Sequence, residues 1–288
     1  MKAIPDCVPE ALAMILAAAR AVSEDDFIHR KVLLKVMGEI AEDGDLGANP
    51  AELYLQCWDS ACRALGVRDP YENEKARRNK TALGILKMLA ERFASGQDDR
   101  LGRAIRFSLA GAMLDFGGLG RTDIQEDAAA NFLRPPAPDE SAALEAAIAK
   151  ADSLMLVANR AGEIVLDRPL AEAAAAKGKR VFLTVAAKPV FLLATRKDAE
   201  LAGFPAEVEV VDPGTPMFGL APERASSEFR ELLSRVDLLI AKGDTNWGTM
   251  TSDHPRFFIL KAGDPALAES LGTGLNEGAV FRATPAKK

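Results

Sequence analysis

The sequence predicts an α/β protein in which an N-terminal helical bundle domain precedes a Rossmann-like three-layer α/β/α domain with a mostly parallel sheet. In the first half of the chain, apolar residues recur at the spacing of one helix face. From residue 153 onward, short apolar runs alternate with helical segments, a pattern typical of a parallel sheet that helices cover on both faces. The segment 133–140, LRPPAPDE, separates the two patterns, because its prolines cannot lie inside a helix. We therefore predict a helical domain at 1–135 and an α/β/α domain at 136–288.

The helical half is expected to contain about five or six helices. Asn49 is placed to cap one of them, with Pro50 at its first position and Gly66 at its end. Gly96 and the pair Gly117-Gly118 are expected to stop two others. The predicted helical segments are 11–16, 27–40, 49–66, 77–96 and 98–118. The first of these segments is only the opening of a helix.

The α/β half is expected to begin with a connecting helix and then to alternate between strands and helices. Thr195 is a plausible helix cap, and Asp198 three residues later makes a variant of the capping box. The predicted strands are 154–158, 180–186, 208–211, 236–241 and 255–263. The predicted helices are 140–151, 163–178, 195–203 and 222–235.

Composition excludes several classes of function. The chain has 288 residues and a net charge of −6, and this acidic balance argues against a general nucleic-acid binder. Cys7, Cys57 and Cys62 show no paired spacing, which is typical of a reduced intracellular protein. No stretch approaches the roughly 18 apolar residues of a membrane span. The histidines His29 and His254 have no metal-ligand spacing. We expect a cytoplasmic protein that binds neither nucleic acid nor membrane.

Polar residues after the first strand of the α/β half predict a ligand site. Open α/β sheets bind ligands at the carboxyl ends of their strands, and the loop Asn159–Glu163, NRAGE, lies at such an end. Gly162 allows a close turn, and the following helix would direct free N–H groups at an anion. Arg160 could add a bidentate phosphate clamp. The alternative is that Arg160 is a surface residue paired with an acid.

Two further loops should meet the first one at the same edge of the sheet. In IAKGDTNWGT, residues 240–249, Lys242 is placed to contact a phosphate or sugar oxygen, while Asp244 and Asn246 could bind ligands or hydroxyl groups. Trp247 could wall the pocket, although an ordinary surface loop with a glycine turn would show the same features. In the loop of residues 187–203, Leu192 and Leu193 stand where polar residues are expected.

Seven motifs, in this order, resemble the damage-control phosphatases, which were first catalogued as domain-of-unknown-function family eighty-nine. They are IPDC, DPYENEKARRNKTAL, AGAMLDFG, NRAGEIVLDRPL, KPVFLLATRKDAELAG, SSEFRELLSRVDLLIAKGDTNW and FFILKA. The resemblance extends over nearly the whole chain and implies a helical domain on a Rossmann-like domain. It also implies a divalent metal, commonly magnesium, manganese, cobalt or nickel, and hydrolysis of small phosphate monoesters such as sugar phosphates and damaged metabolites.

The chain departs from this family at the residues that the resemblance assigns to the metal. The first loop of the family reads Asp-Asn-Ala-Gly-Glu and its first two residues hold the metal, but here they are Asn159 and Arg160. The second loop of the family carries an Asn-Asp pair whose Asp is a metal ligand, and Leu192 and Leu193 stand at these positions here. Ala112 stands where the family has an Asn. Asp244, Thr245 and Gly248 stand where the family has Gln, Gly and Glu, and of the family's first cysteine pair only Cys7 is present.

Two functions are compatible with these departures. In the first, a degenerate member binds a phosphorylated or other anionic ligand, with or without a protein partner, and hydrolyses it poorly or not at all. The ligand-binding residues would then be Asn159, Arg160, Gly162, Lys242 and Asn246. In the second, the chain is an active phosphohydrolase with a rearranged metal site. The catalytic residues would be Asp244 and Glu163, and the metal ligands Asn159 and Asp115.

Overall fold

The computed structural model describes residues 5–43, 49–94, 100–116, 124–250 and 255–283, and it confirms the predicted fold class. In chain order, the elements as far as the sheet's first strand are α1 (Cys7–Val22), α2 (Asp26–Asp43), α3 (Pro50–Leu65), α4 (Glu72–Arg92), α5 (Arg100–Met113), α6 (Ile124–Leu133), α7 (Ser141–Lys150) and β1 (Ser153–Val157). The elements that follow are α8 (Glu163–Ala175), β2 (Arg180–Thr184), α9 (Arg196–Ala202), β3 (Val208–Val211), α10 (Ser227–Ser234), β4 (Leu238–Lys242), α11 (Gly243–Thr249), β5 (Arg256–Lys261), α12 (Pro265–Leu271) and β6 (Gly278–Ala283).

The six strands form one sheet in the order β3-β2-β1-β4-β5-β6. Strands β1 to β5 are parallel, and β6 pairs antiparallel with β5 at the edge. The sequence did not predict β6, which follows α12 through a short turn. The chain moves from β1 to β2 and β3 on one side, and then returns to β4 and β5 on the other. A crevice therefore opens at the carboxyl ends of β1 and β4, where such sheets bind ligands.

Helices cover both faces of the sheet. Side chains of β1 alternate between the faces, so that Leu154 and Leu156 pack under α4 to α9, and Met155 and Val157 pack under α10 to α12. The first of these two cores combines residues from both sides of the predicted domain boundary at 135 and 136. The division into 1–135 and 136–288 stays a prediction.

A third core lies within α1, α2 and α3 and includes the loop between β2 and α9. Trp58 of α3 is buried, and its indole N–H donates a 2.9 Å hydrogen bond to the carbonyl of Pro189. The ring of Phe191 lies 4.5 Å from that of Trp58, measured between centroids, and Leu193 belongs to the same cluster. The apolar residues of this loop therefore attach α1, α2 and α3 to the carboxyl end of the sheet.

Local rules predicted several helix ends correctly. Asn49 accepts a hydrogen bond from the N–H of Ala51, and Gly66 ends α3 in the left-handed conformation. Thr195 and Asp198 form the capping box of α9. The predicted stops at Gly96 and Gly117-Gly118 lie outside the described residues. Within the described ranges, no helix combines the length and the apolar character needed to cross a membrane.

Candidate functional site

The three segments predicted to carry chemistry meet at a cleft of about 410 Å³ at the carboxyl ends of β1 and β4. The third of them, residues 240–249, is not the predicted loop, because β4 continues directly into α11 at Gly243. The last turn of α5 and the end of β5 complete its walls. The predicted site residues that line the cleft are Asp115, Asn159, Arg160, Glu163 and Asp244. Three other predicted residues, Gly162, Lys242 and Asn246, do not line the cleft.

The first two loops are hydrogen-bonded to each other. The N–H of Ala161 donates to the carbonyl of Leu192 at 2.9 Å, and the N–H of Ala194 donates to the carbonyl of Asn159 at 2.8 Å. This short antiparallel pairing places Arg160 opposite Leu193. Leu192 therefore faces the cleft, whereas Leu193 is buried in the core of α1, α2 and α3.

Gly162 permits the tight entry into α8. Its φ of 85° is left-handed, and a Cβ atom at this position would lie 2.7 Å from the ring of Phe116. Its N–H group donates a 2.7 Å hydrogen bond to Oδ1 of Asn79. The N–H group of Gly162, a predicted ligand-binding residue, is therefore already bonded to a buried side chain of α4.

Asn159 presents an unusual buried acceptor. Its Nδ2 group donates to Oε2 of Glu163 at 2.9 Å, whereas its Oδ1 atom is buried without a hydrogen-bond partner in the described part of the chain. Gly243 packs on this amide so closely that a Cβ atom there would lie 2.2 Å from Nδ2. A buried acceptor without a donor costs about 1–3 kcal/mol. Because this atom has almost no exposed surface, a ligand in the cleft does not reach it without a rearrangement.

Lys242 lies behind the cleft in a buried network, of which only Glu163 reaches the cleft. Its Nζ atom lies 2.6 Å and 2.9 Å from the carbonyl and hydroxyl oxygens of Ser108, 3.0 Å from Asp167 and 3.2 Å from Glu163. The sequence suggested a contact between Lys242 and a phosphate or sugar oxygen, but here its ammonium group balances two carboxylates. Asp167 and Ser108 were not singled out from the sequence, although the spacing of Glu163 and Asp167 puts both on one face of a helix.

Asp167 is the most perturbed group of this network. The pKa of Asp167 is raised to about 6, because burial and the neighbouring Glu163 carboxylate together outweigh the opposing effects of the Lys242 ammonium and the Ser108 hydroxyl. A carboxyl group that takes up a proton near neutral pH therefore lies directly behind the cleft.

The raised pKa of Asp167 predicts a pH-dependent contribution to stability. The folded protein takes up this proton as the pH falls through about 6, whereas the unfolded chain does so only near 3.8. The stability from this group is therefore present at low pH and is lost as the pH rises from about 4 to about 6. The unfolding free energy of Asp167→Asn minus that of the wild type should rise over this interval by more than about 1 kcal/mol and then level off. A difference that is flat from pH 4 to pH 8 would contradict the assignment.

Asn246 joins the first and third loops and is also buried. Its Oδ1 atom accepts from the N–H of Leu220 at 2.8 Å, and its Nδ2 group donates to the carbonyls of Lys242 at 2.8 Å and Ala158 at 3.1 Å. This amide therefore holds backbone in place. Trp247 packs edge-on against Phe258, within the core on the other face of the sheet.

Arg160 is a partly exposed residue paired with an acid, as in the alternative that the sequence left open, and its role as a phosphate clamp stays a prediction. It lines the cleft with 48% of its side chain exposed, and one guanidinium nitrogen lies 3.8 Å from a carboxylate oxygen of Asp244. An exposed pair at this distance contributes no more than about 1 kcal/mol, so a stronger anionic partner could replace Asp244.

Arg78 also lines the cleft, although it was not predicted, and Glu74 holds it at 2.7 Å. His29 bonds to the carbonyl of Ser23, away from these loops, and His254 lies outside the described residues.

A doubly wound α/β/α sheet with packed helices and a polar cleft at its switch point defines a protein of the Rossmann-like class. Residues 3–278 match the damage-control phosphatase ARMT1-like domain, and the chain belongs to this family. The resemblance predicted from the sequence is thereby confirmed.

Similar proteins cover almost the whole chain. A damage-control phosphatase of Archaeoglobus fulgidus is 25% identical over 96% of this chain and 98% of its own length. An uncharacterized protein of Methanocaldococcus jannaschii is 27% identical over 98% of this chain and 96% of its own. The crystal structure of a DUF89 family protein from Pyrococcus horikoshii superposes with a TM-score of 0.86 at 23% identity, covering 98% of this chain and 99% of that one, which confirms the fold.

The residues at the metal positions of the resemblance do not fit a divalent cation. Such hard cations prefer several oxygen ligands, usually with a carboxylate among them. Asn159 offers one neutral oxygen, Leu193 offers none, and Arg160 adds a positive charge. A guanidinium at 4 Å opposes a divalent cation by about 2 kcal/mol in bulk water and by more where water is excluded. Among the described residues, no three His, Cys, Asp or Glu side chains are grouped so that they could hold a metal ion.

Proposed function

We propose that this chain is a divergent damage-control phosphatase family member that binds a small phosphorylated or otherwise anionic metabolite without hydrolysing it efficiently. The observation that carries the proposal is the position of Arg160. Its side chain lines the cleft, is half exposed and is only loosely paired with Asp244.

The chemistry of the cleft supports an anionic ligand. The planar guanidinium of Arg160 can donate two parallel hydrogen bonds to a phosphate or carboxylate, which would replace Asp244 as its partner. A volume of about 410 Å³ lies in the range of small-molecule sites.

The same residues disfavour the hydrolysis that the family name implies. Without a Lewis acid, nothing described in the cleft would lower the pKa of an attacking water. Glu163 is placed poorly for a general base, since its two oxygens already contact Lys242 and Asn159.

Removing the arginine fork should weaken ligand binding. We expect Arg160→Ala to weaken the binding of inorganic phosphate at least about tenfold in isothermal titration calorimetry, because hydrogen bonds to charged groups are worth about 1.5–3 kcal/mol. Arg160→Lys should also weaken it, since an ammonium group lacks the fork. Arg235→Ala, an exposed arginine paired with Glu231, is the matched control and should leave the affinity unchanged. Equal affinities of Arg160→Ala and the wild type would contradict the proposal.

A second candidate function is hydrolysis at a rearranged metal site. It is favoured by the carboxylates Asp115 and Asp244, which both line the cleft, with Glu163 as a further catalytic residue. Sugar phosphates and an aryl phosphate should be assayed with magnesium, manganese, cobalt and nickel, together with the metal content of the protein. Robust metal-dependent turnover that Asp244→Asn abolishes would contradict the first proposal, and an absence of both metal uptake and turnover would contradict the second. A protein partner and a cytoplasmic location stay predictions.

A further inference from the structure

Asn79 of α4 joins the two loops that form the cleft, although it does not line the cleft itself. The side chain is 1% exposed, and both ends of its amide are used. Its Oδ1 atom accepts from the N–H of Gly162 at 2.7 Å, and its Nδ2 group donates to Oδ1 of Asp198 at 2.7 Å. One amide from the helical layer thus contacts the beginning of α8 and the first turn of α9.

Each of its two partners fixes the end of a cleft loop. Gly162 follows Arg160 by two residues and begins α8 in the left-handed conformation. Asp198 accepts from the N–H and the hydroxyl group of Thr195, at 2.8 Å and 2.7 Å, and so closes the loop that contains Leu192. Since the loops also pair with each other through backbone hydrogen bonds, Asn79 supplies a third connection, from outside the sheet.

The position requires a side chain that donates at one end and accepts at the other. An aspartate would accept from Gly162 but would place a second carboxylate oxygen against Asp198. A leucine of similar size would leave a buried N–H group and a buried carboxylate without this partner, at a cost of about 1–3 kcal/mol for each group. Asparagine is the residue that satisfies both neighbours without adding charge.

We propose that Asn79 is a positioning residue that sets the direction of Arg160 towards the cleft by fixing Gly162 against Asp198. It acts through backbone and through a neighbouring carboxylate, and it does not touch the ligand. The proposal deepens, and rests on, the proposed anion-binding function. It also predicts an effect on the loop itself, which can be measured without any ligand.

The test exchanges the amide and the carboxylate between positions 79 and 198. Asn79→Asp should weaken inorganic phosphate binding at least about tenfold and accelerate amide hydrogen exchange at Gly162, because the two carboxylates repel each other. The double variant Asn79→Asp with Asp198→Asn again has one carboxylate and one amide, now in exchanged positions. It should return the affinity to within about threefold of the wild type and restore slow exchange at Gly162. If Asn79 merely stabilised the fold, the single variant would lose stability, but its folded fraction would bind phosphate as tightly as the wild type.

The matched control is Asn73→Asp, which introduces the same charge at an exposed position of the same helix. It should change neither the affinity nor the exchange at Gly162. The proposal is overturned if Asn79→Asp binds phosphate as tightly as the wild type, or if the double variant recovers neither affinity nor protection. If the wild type does not bind phosphate, the proposed function fails and the exchange measurement alone decides the role of Asn79. If Asn79→Asp does not fold, Asn79→Ser, which is too short to reach both partners, takes its place.

Discussion

Replacing Lys242 with methionine is expected to lower the free energy of unfolding by about 3–5 kcal/mol, because it leaves two buried carboxylates without their cation. Asp167 is fully buried and Glu163 is 5% exposed, so water cannot replace the ammonium group that lies 3.0 Å and 3.2 Å from them. The carbonyl of Ser108 loses its donor at the same time. Methionine has a similar length and fills the space, so the loss reports the charge and the hydrogen bonds.

Chemical denaturation measures this effect, and Lys261→Met is the matched control. Lys261 ends the neighbouring strand β5 and lines the cleft, but it is only partly buried, so its replacement should cost less than about 1 kcal/mol. The triple variant Lys242→Met, Glu163→Gln, Asp167→Asn removes all three charges and should recover a large part of the loss. If Lys242→Met costs no more than Lys261→Met, the ammonium group does not balance the buried carboxylates.

The sequence predicted the fold because its signals are local. Asn49, Pro50 and Gly66 act within one helix, Thr195 and Asp198 lie within one helical turn, and apolar runs mark the buried parallel strands. The strand β6 was missed because it returns antiparallel after α12, with no helix behind it to continue the alternation. The strand-end rule also located the cleft correctly, since it depends only on which loops follow strands.

The inner part of the site could not be predicted, because its contacts join distant residues. Lys242 bonds to Ser108 across 134 positions, and Gly162 bonds to Asn79 across 83. No local pattern in the sequence indicates such pairs. A lysine at a strand end therefore has the same sequence pattern whether it contacts a ligand or forms a buried ion pair. Leu193 likewise appeared only as an apolar residue in a polar loop. The structure shows that Leu193 packs in the core of α1, α2 and α3. A variant that restores the family's metal ligand at this position is therefore expected to lose stability.

Restoring the residues that the resemblance assigns to the metal should create a site for a divalent cation. The variant carries Asn159→Asp, Arg160→Asn, Leu192→Asn and Leu193→Asp. It replaces the guanidinium with an amide oxygen and adds two carboxylates, which is the donor chemistry that hard cations prefer. We expect calorimetry to detect Mn²⁺ binding that is at least tenfold tighter than any binding to the wild type, where an arginine opposes the cation.

The same variant should be less stable than the wild type in the absence of metal. Leu193 is 7% exposed and packs in the core that contains Trp58, so an aspartate there buries an unpaired charge as well as leaving a cavity. Leucine replacements of this kind cost about 2–5 kcal/mol even without the charge. Binding should offset part of this loss, by about 2.7 kcal/mol when free Mn²⁺ is a hundred times its Kd.

A stability measurement with and without Mn²⁺ therefore separates the two effects of Leu193→Asp. The control carries the same first three changes with Leu193→Ala, which leaves the cavity but supplies no carboxylate. It should lose stability and gain much less from Mn²⁺ than the aspartate variant does. If the two variants respond equally, position 193 does not face the cation, and the loop that attaches α1, α2 and α3 has moved away from the geometry that the resemblance implies. If the wild type is stabilised as strongly as the restored variant, the donor set at Asn159 and Arg160 holds a cation after all, and the anion-binding proposal loses its basis.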